Sequence, residues 1–120
     1  MSTFKTREEP DGLVISFEDS IGLNDFRSNV LRDTLYETIE FSEQPKVALD
    51  LSRIDYLSSS GVAILVGIKR RIDGKQGKLV LYSLQPVVRE LLEVMKLDRY
   101  FVFADDEASA LTTLRPVPTA

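Results

Sequence analysis

The chain of 120 residues contains no cysteine and no histidine. Without cysteine there is no disulfide framework, no thiol nucleophile and no thiolate ligand. Without histidine the commonest general base is missing. Together the two absences remove the usual ligand sets of zinc and other transition metals, so neither a metal site nor a cofactor is expected. Long apolar runs are also missing. The longest, Val62 to Val66, is interrupted by Gly67, far short of the ~20 residues that a membrane span requires. The first nine residues contain no apolar stretch of the signal-peptide type, so the expected location is the cytoplasm, with no membrane partner. Positive charge is scarce: 15 Lys and Arg stand against 19 Asp and Glu, a net charge of −4. A nucleic-acid partner, which calls for a basic face, is therefore not expected. A local basic stretch, Lys69-Arg70-Arg71 with Lys75 and Lys78, points in several directions on a helix and reads as a solvated face.

What remains is ordinary for a soluble globular protein: 43% hydrophobic and 28% charged residues, in a length that suits one domain around one core. Residues 1–115 are read as that domain and residues 116–120 as a short tail, because Pro116 and Pro118 cannot continue a helix. A polar strand over Thr3 to Glu8 is a candidate sheet edge. Glu9-Pro10-Asp11-Gly12 reads as a tight turn, and Leu13 to Phe17 as the returning strand, with Leu13, Ile15 and Phe17 on one face. Glu18 to Leu23 is expected as a loop. Asn24 is expected to cap the next helix, with Asp25 at its positive end and Phe26, Val30, Leu31, Leu35 and Ile39 as its apolar stripe.

Lys46 to Leu51 reads as a strand buried on both faces, Ser52 to Ser58 as a connection, and Ser58-Ser59-Ser60-Gly61 as the start of a buried helix that stops at Gly74. Leu79 to Tyr82 forms a strand. Pro86 opens a helix carrying Val88, Leu91, Leu92 and Met95. Tyr100 to Phe103 is a short strand, and Asp105 and Asp106 open a final helix with Ala108, Leu111 and Leu114. The order β-β-α-β-α-β-α-β-α predicts an α/β domain: a mixed sheet with an N-terminal antiparallel hairpin, right-handed crossovers and four helices.

Only the serine run offers chemistry. Its plainest role is capping, with hydroxyl oxygens accepting the helix's first orphan N–H groups. The same geometry suits phosphorylation. A helix start carries about half a positive charge, and a phosphoryl group there adds roughly −1.5 to −2 charge on one exposed spot. A serine nucleophile would need a base within reach. Lys69 is ten residues beyond Ser59, about 15 Å along the axis at ~1.5 Å per residue. Nor does Gly61 to Gly67 continue into the Lys-Ser/Thr of a phosphate-binding loop. The expectation is therefore a binding module, not an enzyme.

The segment Val47-Ala-Leu-Asp-Leu-Ser-Arg-Ile-Asp-Tyr-Leu-Ser-Ser-Ser-Gly-Val-Ala-Ile-Leu-Val-Gly67 resembles the core of STAS domains. Their pattern is a strand ending in Asp-Leu-Ser, a short loop, Asp-Ser-Ser/Thr-Gly and an apolar helix. Gly77 to Leu97 resembles the strand and helix that follow. The resemblance implies a bacterial, partner-switching anti-sigma factor antagonist. In that family the unmodified protein binds an anti-sigma factor that is also a serine/threonine kinase. Phosphorylation of a Ser at the helix start releases it, and a serine phosphatase restores it. Anchored on Gly61, the family's modified serine falls on Ser59 and its second hydroxyl on Ser60. The family's Asp falls on Ser58, which leaves Ser58 as an alternative acceptor, and the family's earlier loop Asp falls near Gly22.

The implied partner-binding rim comprises Ser58, Ser60, Gly61, Asp55 and Tyr56. Asp50 and Asp55 are candidates for shaping the loop beneath the serines; Arg53 reads more readily as part of the turn. Two further readings stay open: a STAS module that holds its partner without phosphorylation, as a scaffold or transporter-associated subunit, and a small-nucleotide-binding regulatory domain.

Overall fold

The computed structural model describes residues 4–24 and 29–116. The elements run β1 (Phe4–Glu9), β2 (Gly12–Phe17), α1 (Ser20–Asn24), α2 (Asn29–Glu40), β3 (Lys46–Asp50), α3 (Ser59–Gly74), β4 (Lys78–Tyr82), α4 (Pro86–Val94), β5 (Val102–Ala104) and α5 (Glu107–Leu114). The four expected helices are present. A fifth, short helix, α1, occupies the stretch read as loop. Asp25 and Phe26, assigned from sequence to the following helix, lie outside the described residues, as do Val117 and Pro118 of the tail.

The sheet has five strands in the order β1-β2-β3-β4-β5. β1 and β2 pair antiparallel, with Phe4 opposite Phe17 and Glu9 opposite Gly12. β2, β3, β4 and β5 run parallel. Strands adjacent in sequence are thus adjacent in space, and each crossover helix lies on the same face, as right-handed connections require. The larger core on that face joins Ile15, Phe17, Val47, Leu49, Leu79 and Leu81 of the sheet to Leu31, Leu35 and Ile39 of α2, Leu65, Ile68 and Ile72 of α3, and Val88 and Leu92 of α4. The opposite face carries Val14, Ala48, Val80 and Tyr82, covered by Ala110 and Leu114 of α5. Val47, Ala48 and Leu49 are all buried, as a strand covered on both faces demands.

Several local expectations change. Met95, read into the apolar stripe of α4, is exposed and falls just past the helix, at its C-cap. Val30 is 77% exposed, because the face of α2 that meets the sheet passes through Leu31, Leu35 and Ile39. Ala108 is exposed, and Ala110 takes its place in the core. Gly74 does end α3, but the left-handed turn sits two residues later, at Gln76 with φ 57°. There Gly77 N–H reaches back to the Ile72 carbonyl at 2.9 Å, closing a C-terminal turn without glycine at the left-handed position.

Candidate functional site

Among the described residues α3 buries more apolar side chains than any other helix. Val62, Ile64, Leu65, Ile68 and Ile72 are buried along it, and five such side chains contribute on the order of 10 kcal/mol to holding the rod. Its first turn is therefore presented from a rigid base. It emerges beside the carboxyl end of β3, after the loop that leaves the sheet at Asp50. That loop is shaped at once: Asp50 Oδ1 accepts the Ser52 N–H at 2.9 Å. Gln85, just ahead of α4, donates to the Ser52 carbonyl at 2.9 Å.

The three serines differ sharply in role. Ser58 is the N-cap, with extended backbone, and its Oγ accepts the Gly61 N–H at 3.1 Å. The same hydroxyl donates to the Asn24 carbonyl at 3.0 Å, so both of its functions are in use. Ser59, the first helical residue, is exposed, and among the described residues its hydroxyl makes no hydrogen bond. Ser60 is half-buried. Ser58 N–H goes to Asn24 Oδ1 at 2.6 Å, Gly61 N–H to Ser58 Oγ and Val62 N–H to the Ser58 carbonyl at 2.9 Å. Among the described residues the amides of Ser59 and Ser60 have no hydrogen-bond partner and remain as the helix's orphan donors.

Asn24 was read as the cap of the following helix. Instead it ends α1 and is turned inward, 7% exposed. Its Nδ2 donates to the Tyr56 carbonyl at 2.9 Å and to the Ser20 carbonyl at 2.8 Å, while its Oδ1 holds Ser58. One turn earlier, Ser20 is 6% exposed. Its Oγ donates to Asp55 Oδ1 at 2.5 Å and accepts the Asp55 N–H at 2.8 Å. α1 thus clasps the loop 55–58 at two points, and Leu23, fully buried between them, anchors the clasp in the core. Gly61 closes the arrangement, since a Cβ there would collide with Asn24 Oδ1.

The structure therefore brings Asp55, Tyr56, Ser58, Ser59, Ser60 and Gly61 to one end of α3. Asp55 is turned toward Ser20, the Tyr56 side is half-exposed at 49%, and Gly61 is buried. Sequence reasoning missed Ser20 and Asn24. Their spacing of four was the only signal, in a stretch too short and too poor in apolar residues to be read as a helix. The basic stretch is largely engaged within the fold: Lys69 pairs with Asp73 at 2.8 Å, Arg71 stacks 3.6 Å over the Tyr36 ring, and Lys75 donates to the Glu40 and Ser42 carbonyls at the end of α2. Among the described residues no helix is long and apolar enough to cross a membrane.

The comparisons with known proteins agree with one another. A protein of Bordetella bronchiseptica, BtrV, named as a candidate anti-sigma factor antagonist, is 29% identical over 110 residues, covering 92% of this chain and 93% of its own. An anti-sigma F factor antagonist of Paenibacillus polymyxa is 27% identical over 95 residues, covering 79% of this chain and 81% of its own. An anti-sigma-factor antagonist (STAS) domain protein from Planctomyces limnophilus superposes with a TM-score of 0.81 at 24% identity, over 92% of this chain and 97% of that one. Residues 4–110 match the STAS domain model. With hairpin, parallel crossovers and a serine-capped helix all inside the matched span, the chain belongs to the STAS domain family.

Proposed function

We propose that this chain is an anti-sigma factor antagonist of the partner-switching kind, bound to an anti-sigma factor while unmodified and released when Ser59 is phosphorylated. The observation that carries the reading is the exposed Ser59 hydroxyl, without a hydrogen bond among the described residues, on the first residue of a helix buried in the core. In the transfer, Ser59 Oγ attacks the γ-phosphorus of ATP. The O–P bond forms, the bond to the bridging oxygen breaks, and ADP leaves with the electron pair. Because Ser59 Oγ makes no hydrogen bond among the described residues, its proton passes to a group supplied by the kinase. In this reading the partner is an anti-sigma factor with serine/threonine kinase activity, and a serine phosphatase reverses the step. In this reading the chain is a substrate and ligand, not an enzyme.

Added charge acts locally. A phosphoryl group on Ser59 brings about −1.5 to −2 charge, beside the orphan amides of Ser59 and Ser60, which favour it. The domain keeps its fold while a partner seated over the rim of Asp55, Tyr56, Ser58, Ser60 and Gly61 meets a dianion. The test is incubation with ATP and each anti-sigma-type kinase of the same genome, read by intact mass and fragmentation. One added phosphoryl group, lost in Ser59→Ala, is the expected result. Stable binding to a partner with no modification by any kinase would instead identify a permanent STAS scaffold.

A further inference from the structure

We propose that Asn24 is the positioning residue that selects the acceptor serine, keeping Ser58 as a cap and leaving Ser59 to be modified. The proposal rests on the switching reading above for its biological meaning, but its physical content can be measured without a kinase. Two serines stand side by side at the start of α3 with opposite fates. Ser58 Oγ is tied at both ends, to the Asn24 carbonyl and the Gly61 N–H, while its own N–H is held by the Asn24 amide oxygen at 2.6 Å. Asn24 also fixes the Tyr56 carbonyl, so the backbone on both sides of Leu57 is held by one side chain.

The chemistry of a transfer to Ser58 shows why this matters. Once esterified, Ser58 Oγ has no proton to donate to the Asn24 carbonyl. The new phosphoryl oxygens would crowd that carbonyl, which now lies 3.0 Å from Oγ, setting acceptor against acceptor in a half-buried site. Modification of Ser58 therefore requires the loop 55–58 to leave α1. Ser59, one residue on and outside the clasp, can be modified with every one of these bonds intact. Leu23 keeps α1 in the core whether or not Asn24 holds the loop, so the Asn24 contacts can be lost without unfolding the domain.

The experiment compares wild type, Asn24→Ala and Asn24→Asp by amide hydrogen exchange and by phosphosite mapping after incubation with ATP and an anti-sigma-type kinase of the same genome. In Asn24→Ala, exchange at the Ser58 amide, which loses its acceptor, should quicken about five- to tenfold, the weight of one lost hydrogen bond, and exchange at the Gly61 amide, held through Ser58 Oγ, should quicken by less. Amides of β3 and β4 should stay unchanged. Phosphate should appear on Ser58 as well as Ser59. Asn24→Asp keeps an acceptor facing the Ser58 N–H but sets its second oxygen against the Ser20 and Tyr56 carbonyls that Nδ2 now serves, so its Ser58 protection and its share of Ser58 phosphate should fall between wild type and Asn24→Ala; it also serves if the alanine variant fails to fold. Unchanged exchange at Ser58 and Gly61 in Asn24→Ala would overturn the proposal, as would an unchanged Ser59-only pattern. A wild type that no kinase labels would remove the switching reading, while the exchange measurement would still decide whether Asn24 holds Ser58.

Discussion

The two ends of α3 are both tied to an earlier element on the same face of the sheet, yet they end differently. At the C-terminal end Lys75 donates to the Glu40 carbonyl that ends α2 and to the Ser42 carbonyl just beyond it, Arg71 stacks on Tyr36 and pairs with Glu40 at 3.4 Å, and Gly77 packs beneath the Pro45 carbonyl, which a Cβ would strike. At the N-terminal end Asn24 and Ser20 do the same work for the loop 55–58, but the Ser59 hydroxyl makes no hydrogen bond among the described residues. Both ends are tied down, and the N-terminal one carries an exposed hydroxyl that makes no hydrogen bond among the described residues. Polar contacts are thus common to both ends, and under the proposed reading it is the unengaged Ser59 hydroxyl that sets the N-terminal end apart.

The sharpest way to break this contrast is to weaken the rod itself. Ile68, fully buried in mid-helix, should cost about 2–5 kcal/mol when replaced by Ala, read by urea unfolding, and both ends should loosen together under hydrogen exchange. Loss of protection at one end alone would mean that the ends are held independently. Next in size is Gly77→Ala, whose Cβ meets backbone. It should cost about 1–3 kcal/mol and leave the rate of Ser59 phosphorylation within twofold, since the damage stays at the far end. A marked fall in that rate, with the protein still folded, would join the two ends functionally.

The neighbouring serines sharpen the contrast within one turn. Ser58→Ala should lower stability by about 1 kcal/mol through loss of the cap. Ser59→Ala should change it by less than ~0.5 kcal/mol while abolishing modification. Thermal unfolding of the two variants side by side checks this, and equal losses would mean that Ser59 is structural too. The smallest effect belongs to a second helix start. Asp106 caps α5, accepting the Ser109 N–H at 2.8 Å, and that backbone hydrogen bond holds its carboxyl below the usual carboxylate value. Its contribution is present above about pH 4, the unfolded value, and is lost as pH falls through the lower folded one. The Ser58 cap has no such titration. Acid should thus fray α5 before α3, and Asp106→Asn should remove that difference in exchange at Ser109.

Most of the fold was legible because its signals are repetitive. The apolar continuity of Val47-Ala48-Leu49, the spacing of Leu31, Leu35 and Ile39, and Pro86 at a helix start each report burial or backbone geometry directly. The serine run was legible as a helix start for the same reason. α1 was not, because five residues carry no readable period and tertiary contacts, not propensity, hold them. Asn24 was misplaced because an Asn before an apolar stripe suggests a cap, whereas here its amide serves partners more than thirty residues away. Val30 and Ala108 were assigned to apolar stripes, but such a stripe is wider than the buried line within it. Gln76 in a left-handed turn had no sequence signal, since glycines flank it at 74 and 77 and either could have taken the role.

The most direct measurement is a calorimetric titration of one anti-sigma factor with this protein, unmodified and then carrying phosphate on Ser59 alone. The unmodified form should bind, and the phosphorylated form should bind at least about tenfold more weakly, a loss of ~1.4 kcal/mol, with its thermal unfolding unchanged. Equal affinity of the two forms would contradict a charge-driven release and leave Ser59 with no part in switching.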